Sequence, residues 1–184
     1  MPFFTGAGDN GKTGRFGCDQ RISKSSAIAE ALGCVDEINS FLGLCKVKAG
    51  GVLEAMDKRA GELISDIQND LFVVQAELGG YSKLKLGKEK IKKMEAYINW
   101  IEKELPPVKT FFVAGGTELS SLLDYARALA RRAERRAVSA SELAPADFNP
   151  EILAYLNRLS SMLYALARWA NFKAGVPEEP PKYQ

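Results

Sequence analysis

Beginning at Ser25, apolar residues return every three or four positions, the spacing that lines one face of an α-helix. Five such segments are predicted. The first covers residues 26–48, with Ile28, Leu32, Val35, Leu42 and Cys45 in one stripe, and Gly50-Gly51 ends it. The second covers 52–78, where Leu53, Met56, Ala60, Leu63, Ile67, Leu71, Val74 and Leu78 come close to a heptad before Gly79-Gly80 interrupts. The third, 88–104, carries Ile91, Met94, Ile98 and Ile101, and Pro106-Pro107 forbids its continuation. The fourth follows Thr117, whose hydroxyl suits an N-cap. It keeps Leu119, Leu123, Ala126, Ala130, Ala133 and Ala137 on one side as far as Ser141, and Ala144-Pro145 closes it. The fifth opens at Asn149-Pro150-Glu151, an N-cap and then proline at the first helical position, and runs through Leu156, Leu159, Leu163 and Leu166 to Ala170.

Outside these segments only Phe3-Phe4 and Phe111-Phe112-Val113 are strand-like, and both are shorter than an ordinary strand. The fold class expected is therefore all-α: an up-and-down bundle of five helices behind a glycine-rich N-terminal arm. A chain of 184 residues suits one core, so 1–184 is read as a single domain, with the arm at 1–24, the bundle at 25–174 and a Pro-rich tail at 175–184.

Composition narrows the chemistry. Hydrophobic residues at 46% and charged residues at 26% describe a folded globular chain, and a net charge of +2 provides no global attraction to nucleic acid or an acidic membrane. No apolar run nears the roughly 20 residues of a membrane span. Met1-Pro2-Phe3-Phe4-Thr5 has no signal-peptide character, so a soluble cytoplasmic protein is expected. Cys18, Cys34 and Cys45 lack metal-type spacing and read as small hydrophobes. There is no histidine at all, which removes His-activated nucleophiles and imidazole ligation of a metal.

Residues Gly6 to Thr13, GAGDNGKT, fit the Walker A pattern G-x-x-x-x-G-K-[ST]. A true P-loop needs a buried strand before it and a helix after it, so that backbone N–H groups converge on the phosphates. Here five residues precede Gly6, and Gly14-Arg15-Phe16-Gly17 follows Thr13. A Rossmann-like P-loop is therefore not expected, but the residue chemistry remains. Gly6, Gly8, Gly11, Gly14 and Gly17 let the main chain wrap an anion. Thr5 and Thr13 offer hydroxyls, Asp9 suits a phosphate-bound magnesium ion, and Lys12, Arg15, Arg21 and Lys24 are cationic. A solvated basic arm is the plainer reading of the same residues.

The fourth segment contains ARALARRAERRA, with Arg127, Arg131, Arg132, Arg135 and Arg136 against one acid, Glu134. At about 100° per residue, Arg127, Arg131 and Glu134 share a face bordering the apolar stripe, while Arg132 and Arg136 point towards solvent or a neighbouring chain. Partly desolvated guanidinium groups need opposite charge. Asp36 or Glu37 of the first segment, or the phosphates of a nucleotide held by the arm, are the candidates. On the fifth segment Asn157, Ser161, Tyr164 and Arg168 lie opposite the leucines, as a solvated face, a subunit interface or a site. Trp169, Phe172, Phe111 and Phe112 are core residues by default, with aromatics flanking a planar ligand as the sharper alternative.

Taken in order, TGAGDNGKT, FG, RISK, CVDEINSFLG, FFVAGG, RALARRAERR and YLNRLSSMLYALARWAN resemble the ATP:cob(I)alamin adenosyltransferases of the PduO type across nearly the whole chain. The resemblance implies a homotrimer with sites between subunits. It also implies transfer of the 5′-deoxyadenosyl group of ATP to the cobalt of cob(I)alamin, releasing triphosphate. ATP would be held by Thr5, Gly6, Ala7, Gly8, Asp9, Thr13 and Gly14, with Lys24, Arg131, Arg132, Glu134, Arg135 and Asn157 completing the pocket. Magnesium would enter through the ATP phosphates, without direct protein ligands. Asp36 and Arg127 match a salt bridge across the subunit interface, Phe111 the aromatic at the lower corrin face, and Phe112 stands beside it. Lys24, Arg131 and Phe111 would carry the catalysis. A flavin-dependent reductase and a downstream adenosylcobalamin-dependent enzyme are the partner classes that accompany this activity.

The match is not complete: Gly6, Ala114 and Ser161 replace a basic residue, a proline or serine, and an aspartate. The reaction itself explains the missing histidine, because cob(I)alamin is a nucleophile that needs no general base. A nucleotide-binding scaffold without catalysis and an ATP hydrolase are the competing classes.

Overall fold

The computed structural model describes residues 2–50, 54–143, 145 and 148–183. Five helices dominate: α1 (Ala27–Ala49), α2 (Ala60–Leu78), α3 (Lys88–Glu104), α4 (Glu118–Leu143) and α5 (Pro150–Lys173). The boundaries follow from local chemistry. Ser26 caps α1 by accepting from the Ala29 N–H, and Gly50 ends that helix. Asn149 accepts from the Glu151 N–H at the head of α5, with Pro150 at the first turn as expected. The Thr117 hydroxyl accepts from the Ser120 N–H at 3.1 Å, the N-cap anticipated for α4.

Two antiparallel hairpins were not anticipated. In the arm, β1 (Lys12–Arg15) pairs with β2 (Cys18–Ser23), whereas Phe3-Phe4 and Phe111-Phe112-Val113 form no strand. Glycines and charges at 11–17 hide any alternating pattern there, and Gly17 takes the positive φ of the turn. The second segment begins later than its periodicity suggested. Glu54–Ala55 (β3) and Lys58–Arg59 (β4) form a hairpin around Met56, whose φ is 59°. Glu62 Oε2 accepts from the Arg59 N–H at 3.3 Å, satisfying the N-cap donor where α2 starts at Ala60. Gly51, Val52 and Leu53 lie outside the described residues, as does Ala144.

Successive helices alternate in direction. Lys48 at the foot of α1 pairs with Glu118 at the head of α4 at 2.8 Å. Gln68 of α2 donates to the Asn39 carbonyl of α1, and Lys88 of α3 reaches Glu151 at the head of α5. The helix α4 packs between α1 and α5 through Ala126, Ala130, Ala133, Ala137 and Ala140, all buried. Side chains this small let three backbones approach closely. Leu156, Leu159, Leu163 and Leu166 fill the other side of that seam and are fully buried. Burial of each is worth about 1.5–3 kcal/mol.

α3 packs mainly on α5 and meets α2 through ions: Lys58 and Lys93 flank Asp66, and Lys90 reaches Asp70 at 2.7 Å. Among the described residues, no helix is long and apolar enough to cross a membrane.

This alternation decides where the functional parts sit. The arm leads into the head of α1 and is tied to the C-terminal end of α2 by the Phe16 N–H bond to the Gly79 carbonyl at 2.8 Å. The loop 106–117, between α3 and α4, lies at the other end of the bundle. The 26 residues of α4 span the gap, roughly 39 Å at about 1.5 Å per residue.

Candidate functional site

A cleft of about 960 Å³ opens at that second end, between the loop, the first half of α4 and the second half of α5. Arg127 and Arg131 of α4 form one wall, Tyr164, Arg168 and Asn171 of α5 another, and Phe111 and Phe112 the rim. Phe111 is 80% exposed and Phe172 46%, so neither is a core residue. Trp169 is buried as expected, and Phe112 is half-buried. An exposed phenylalanine at the mouth of a cleft suits a large flat ligand better than it suits the core.

The arginines separate by direction. Arg127 does not reach Asp36 or Glu37 within the protomer; its Nε bonds Asp124, one turn earlier on α4, at 2.5 Å. Asp36 instead accepts from Gln75 of α2 at 3.1 Å. Arg132 and Arg136 reach α1 while staying about half exposed to solvent: Arg132 pairs with Glu37, and Arg136 lies 4.0 Å from Glu30. Two basic residues of α4 therefore help dock α1. Arg131 lines the cleft and has no ion-pair partner among the described residues. Arg135 is exposed, also without one. Glu134 accepts from Asn157 Nδ2 of α5 at 2.8 Å, joining two members of the expected nucleotide pocket.

The arm makes a compact cradle of its own. The Thr5 hydroxyl accepts from the Ala7 N–H, the Gly6 carbonyl from the Asp9 N–H, and the Gly8 carbonyl from the Gly11 N–H. Lys24 lies across this turn. A Cβ at Gly8 would stand 3.0 Å from Lys24 Nζ, so the absent side chain is what lets the ammonium approach the backbone. Thr13 and Gly14 lie on β1, where the register shifts between Thr13 and Arg15. Among the described residues, none of the arm's side chains pairs with an arginine of α4. The cradle and the Arg131 cleft are separate sites within one protomer.

Sequence reasoning missed the residues that hold the loop. Asn171 Oδ1 accepts from the Thr117 N–H at 2.9 Å, and its Nδ2 donates to the Gly115 carbonyl at 2.9 Å. A Cβ at Gly116, whose φ is +103°, would overlap Asn171 at 2.4 Å, so only glycine fits there. The spacing Tyr164, Arg168, Asn171 put Asn171 on the polar face already noted for α5. Arg168 is not on a solvated face: it is 7% exposed and makes a two-point ion pair with Glu178, at 2.6 and 2.8 Å. Its hydrogen bond to Glu178 raises its pKa further, against the cost of desolvation. The hydroxyl of Tyr164 beside it is also pushed up, by desolvation.

The family model for cobalamin adenosyltransferase matches residues 3–170. A corrinoid adenosyltransferase of Bacillus subtilis is 36% identical over 96% of this chain and 90% of its own length. The corrinoid adenosyltransferase PduO of Citrobacter freundii is 38% identical over 91% of the chain, which spans about half of that longer protein, 49%. Among solved structures, a phenylalanine-to-alanine variant of the PduO-type ATP:corrinoid adenosyltransferase from Lactobacillus reuteri, complexed with cobalamin and ATP, superposes with a TM-score of 0.87. It is 29% identical, covering 99% of this chain and all of that one, 100%. An arginine-to-lysine variant of the same enzyme, complexed with ATP, gives 0.85. The chain belongs to the cobalamin adenosyltransferase family.

Proposed function

We infer that this protein transfers the 5′-deoxyadenosyl group of ATP to the cobalt of a reduced corrinoid. The observation that carries the reading is the cleft, where Arg131, with no ion-pair partner among the described residues, and the exposed Phe111 line one cavity. The relatives' complexes with cobalamin and ATP name ligands that match its two chemistries, a cation for phosphate and an aromatic for a flat ring.

The cobalt(I) centre attacks C5′ of the ribose, and the C5′–O bond breaks with its electron pair passing to the triphosphate. No proton moves in that step, so a chain without histidine can support it. The protein's tasks are to orient C5′ over cobalt and to compensate the charge leaving on triphosphate. Lys24 with the backbone N–H groups of Thr5 to Gly14 serves one end of the polyphosphate, and Arg131 the other. Asp9 would lie beside a magnesium ion bound by the phosphates, which would supply further charge compensation. Phe111 would cover the lower face of the corrin, excluding water and any lower axial ligand, which would make cob(II)alamin easier to reduce.

The distance between arm and cleft supports assembly from several copies, with the arm of one protomer closing the cleft of the next. We assign a homotrimer on that basis, with Asp36 and Arg127 exchanging their partners within the protomer for each other across the interface. The same reading places the enzyme in the cytoplasm, supplied by a flavin-dependent reductase and feeding an adenosylcobalamin-dependent enzyme.

Incubation with ATP, Mg²⁺ and chemically reduced cobalamin tests the activity. An alkylated corrinoid with intact triphosphate is expected. ADP with phosphate indicates a hydrolase, and unchanged ATP a binding scaffold; either overturns the assignment.

A further inference from the structure

The loop 106–117 that carries Phe111 has no regular secondary structure of its own, and two prolines and two glycines give it little internal support. It is held from outside. Arg168 Nη2 donates to the Pro106 carbonyl at 3.0 Å, Asn171 grips Gly115 and Thr117, and the Val113 N–H donates to the Glu179 carbonyl at 2.8 Å. The last contact comes from the chain after α5, which turns back at Gly175 and is fixed by the Val176 N–H bond to the Asn171 carbonyl.

We propose that residues 176–179 form a strap that sets the position of the corrinoid-facing loop, with Arg168 and Glu178 as its positioning residues. The proposal rests on the adenosyltransferase reading for its substrate, and on this chain's own contacts for its mechanism. Arg168 lies at the centre: its guanidinium binds Glu178 through two bonds, stands 5.3 Å from the Phe112 ring and 5.9 Å from the Tyr164 ring, and reaches Pro106. A desolvated two-point pair tolerates one geometry, because a guanidinium buried without its carboxylate is strongly disfavoured. Docking of the strap therefore fixes Arg168, Arg168 supports Phe112, and Glu179 holds Val113 two residues beyond Phe111. Residues 176–179 lie past residue 170, where the match to the family model ends.

The test uses the full chain with Glu178→Ala, Glu178→Gln and a chain ending at Gly175. Four quantities are read: KM for corrinoid, KM for ATP, the absorption band of four-coordinate cob(II)alamin, and amide exchange of Val113. In each variant the corrinoid KM is expected to rise about tenfold or more and the four-coordinate band to weaken, since small misplacements at a reacting centre carry losses of that size. The ATP KM stays within about twofold, because the arm is untouched, and Val113 exchange accelerates about tenfold or more as its acceptor is released. A lower melting temperature with an unchanged corrinoid KM overturns the positioning role. Unchanged Val113 exchange in Glu178→Ala overturns the strap itself, whatever the activity. A wild-type chain that alkylates no corrinoid overturns the functional reading and the corrinoid half of this one, leaving the exchange result to judge the strap.

Discussion

Asn157 on α5 donates its side-chain amide to Glu134 on α4 at 2.8 Å, while Arg158 Nη1 donates to Asn157 Oδ1 at 2.6 Å and Arg158 Nε bonds Glu95 of α3. One chain of hydrogen bonds thus spans three helices and ends on an acid beside Arg131. Glu134→Ala frees the Asn157 amide. An ATP KM about tenfold higher is expected, with a stability loss of about 1 kcal/mol. Steady-state kinetics and thermal unfolding read the two effects separately, and a stability loss with unaltered ATP KM would remove Glu134 from the nucleotide site.

Arg131 and Arg132 are neighbours in sequence with different surroundings, and their variants should differ accordingly. Arg131→Ala is expected to lose about 10²–10³-fold in kcat, the magnitude typical of removing a donor aimed at developing charge. It should keep its melting temperature, since no ion pair is broken. In Arg132→Ala the half-exposed contact to Glu37 goes, which costs at most about 1 kcal/mol. An Arg131→Ala enzyme retaining most of its turnover would place the triphosphate elsewhere.

Phe111 makes a cleaner target than most aromatics because its ring is largely in solvent. Phe111→Ala is expected to slow adenosylation from cob(II)alamin about tenfold or more while leaving ATP affinity and melting temperature unchanged. Unchanged turnover from cob(II)alamin would refute its place at the corrin face.

The ions between α2 and α3 give a pH dependence of stability. Desolvation pushes the Asp66 carboxyl up, but the hydrogen bonds and charges of Lys58 and Lys93 outweigh it and hold the pKa below its ordinary value. The folded state therefore binds this proton less readily than the unfolded chain. Its stabilisation is complete above the unfolded value, about 3.9, and is lost as pH falls from there through the lower folded one. Asp66→Asn should lack this component, so its urea midpoint should fall less than that of the wild type between pH 6 and pH 3. Parallel declines would show that the pair contributes nothing.

If the arm and the cleft serve one nucleotide only across protomers, two inactive variants should repair each other. Lys24→Ala spoils the arm and Arg131→Ala the cleft. Mixed by co-refolding, they should regain part of the wild-type activity through sites that combine the intact half of each. No regained activity in verified mixed oligomers would mean that both groups act within one chain.

The helices were legible because their cause is local: the three-and-four spacing, Ser26, Asn149-Pro150 and Thr117 each state a boundary. The region before α2 was not, since Met56 keeps the helical period yet sits in a left-handed turn. In the arm, the glycines that signal anion wrapping also conceal the strand alternation of β1 and β2. For the site, residue type suggested phosphate and a flat ring, while helical angles assigned Arg132 to solvent or a neighbouring chain, whereas it pairs with Glu37 of α1. What the sequence could not state is partner choice. That Arg132 takes Glu37, that Asn171 grips Gly115 and Thr117, and that Arg168 closes on Glu178 depend on crossings between elements far apart in the chain.

If the glycine-rich hairpin and the aromatic rim, set at opposite ends of one bundle, meet only between copies, concentration becomes a part of the chemistry. On the multi-copy reading, a lone protomer owns two halves that cannot meet, so dilution silences turnover while every helix stays intact. Abundance would then govern output as directly as substrate supply does.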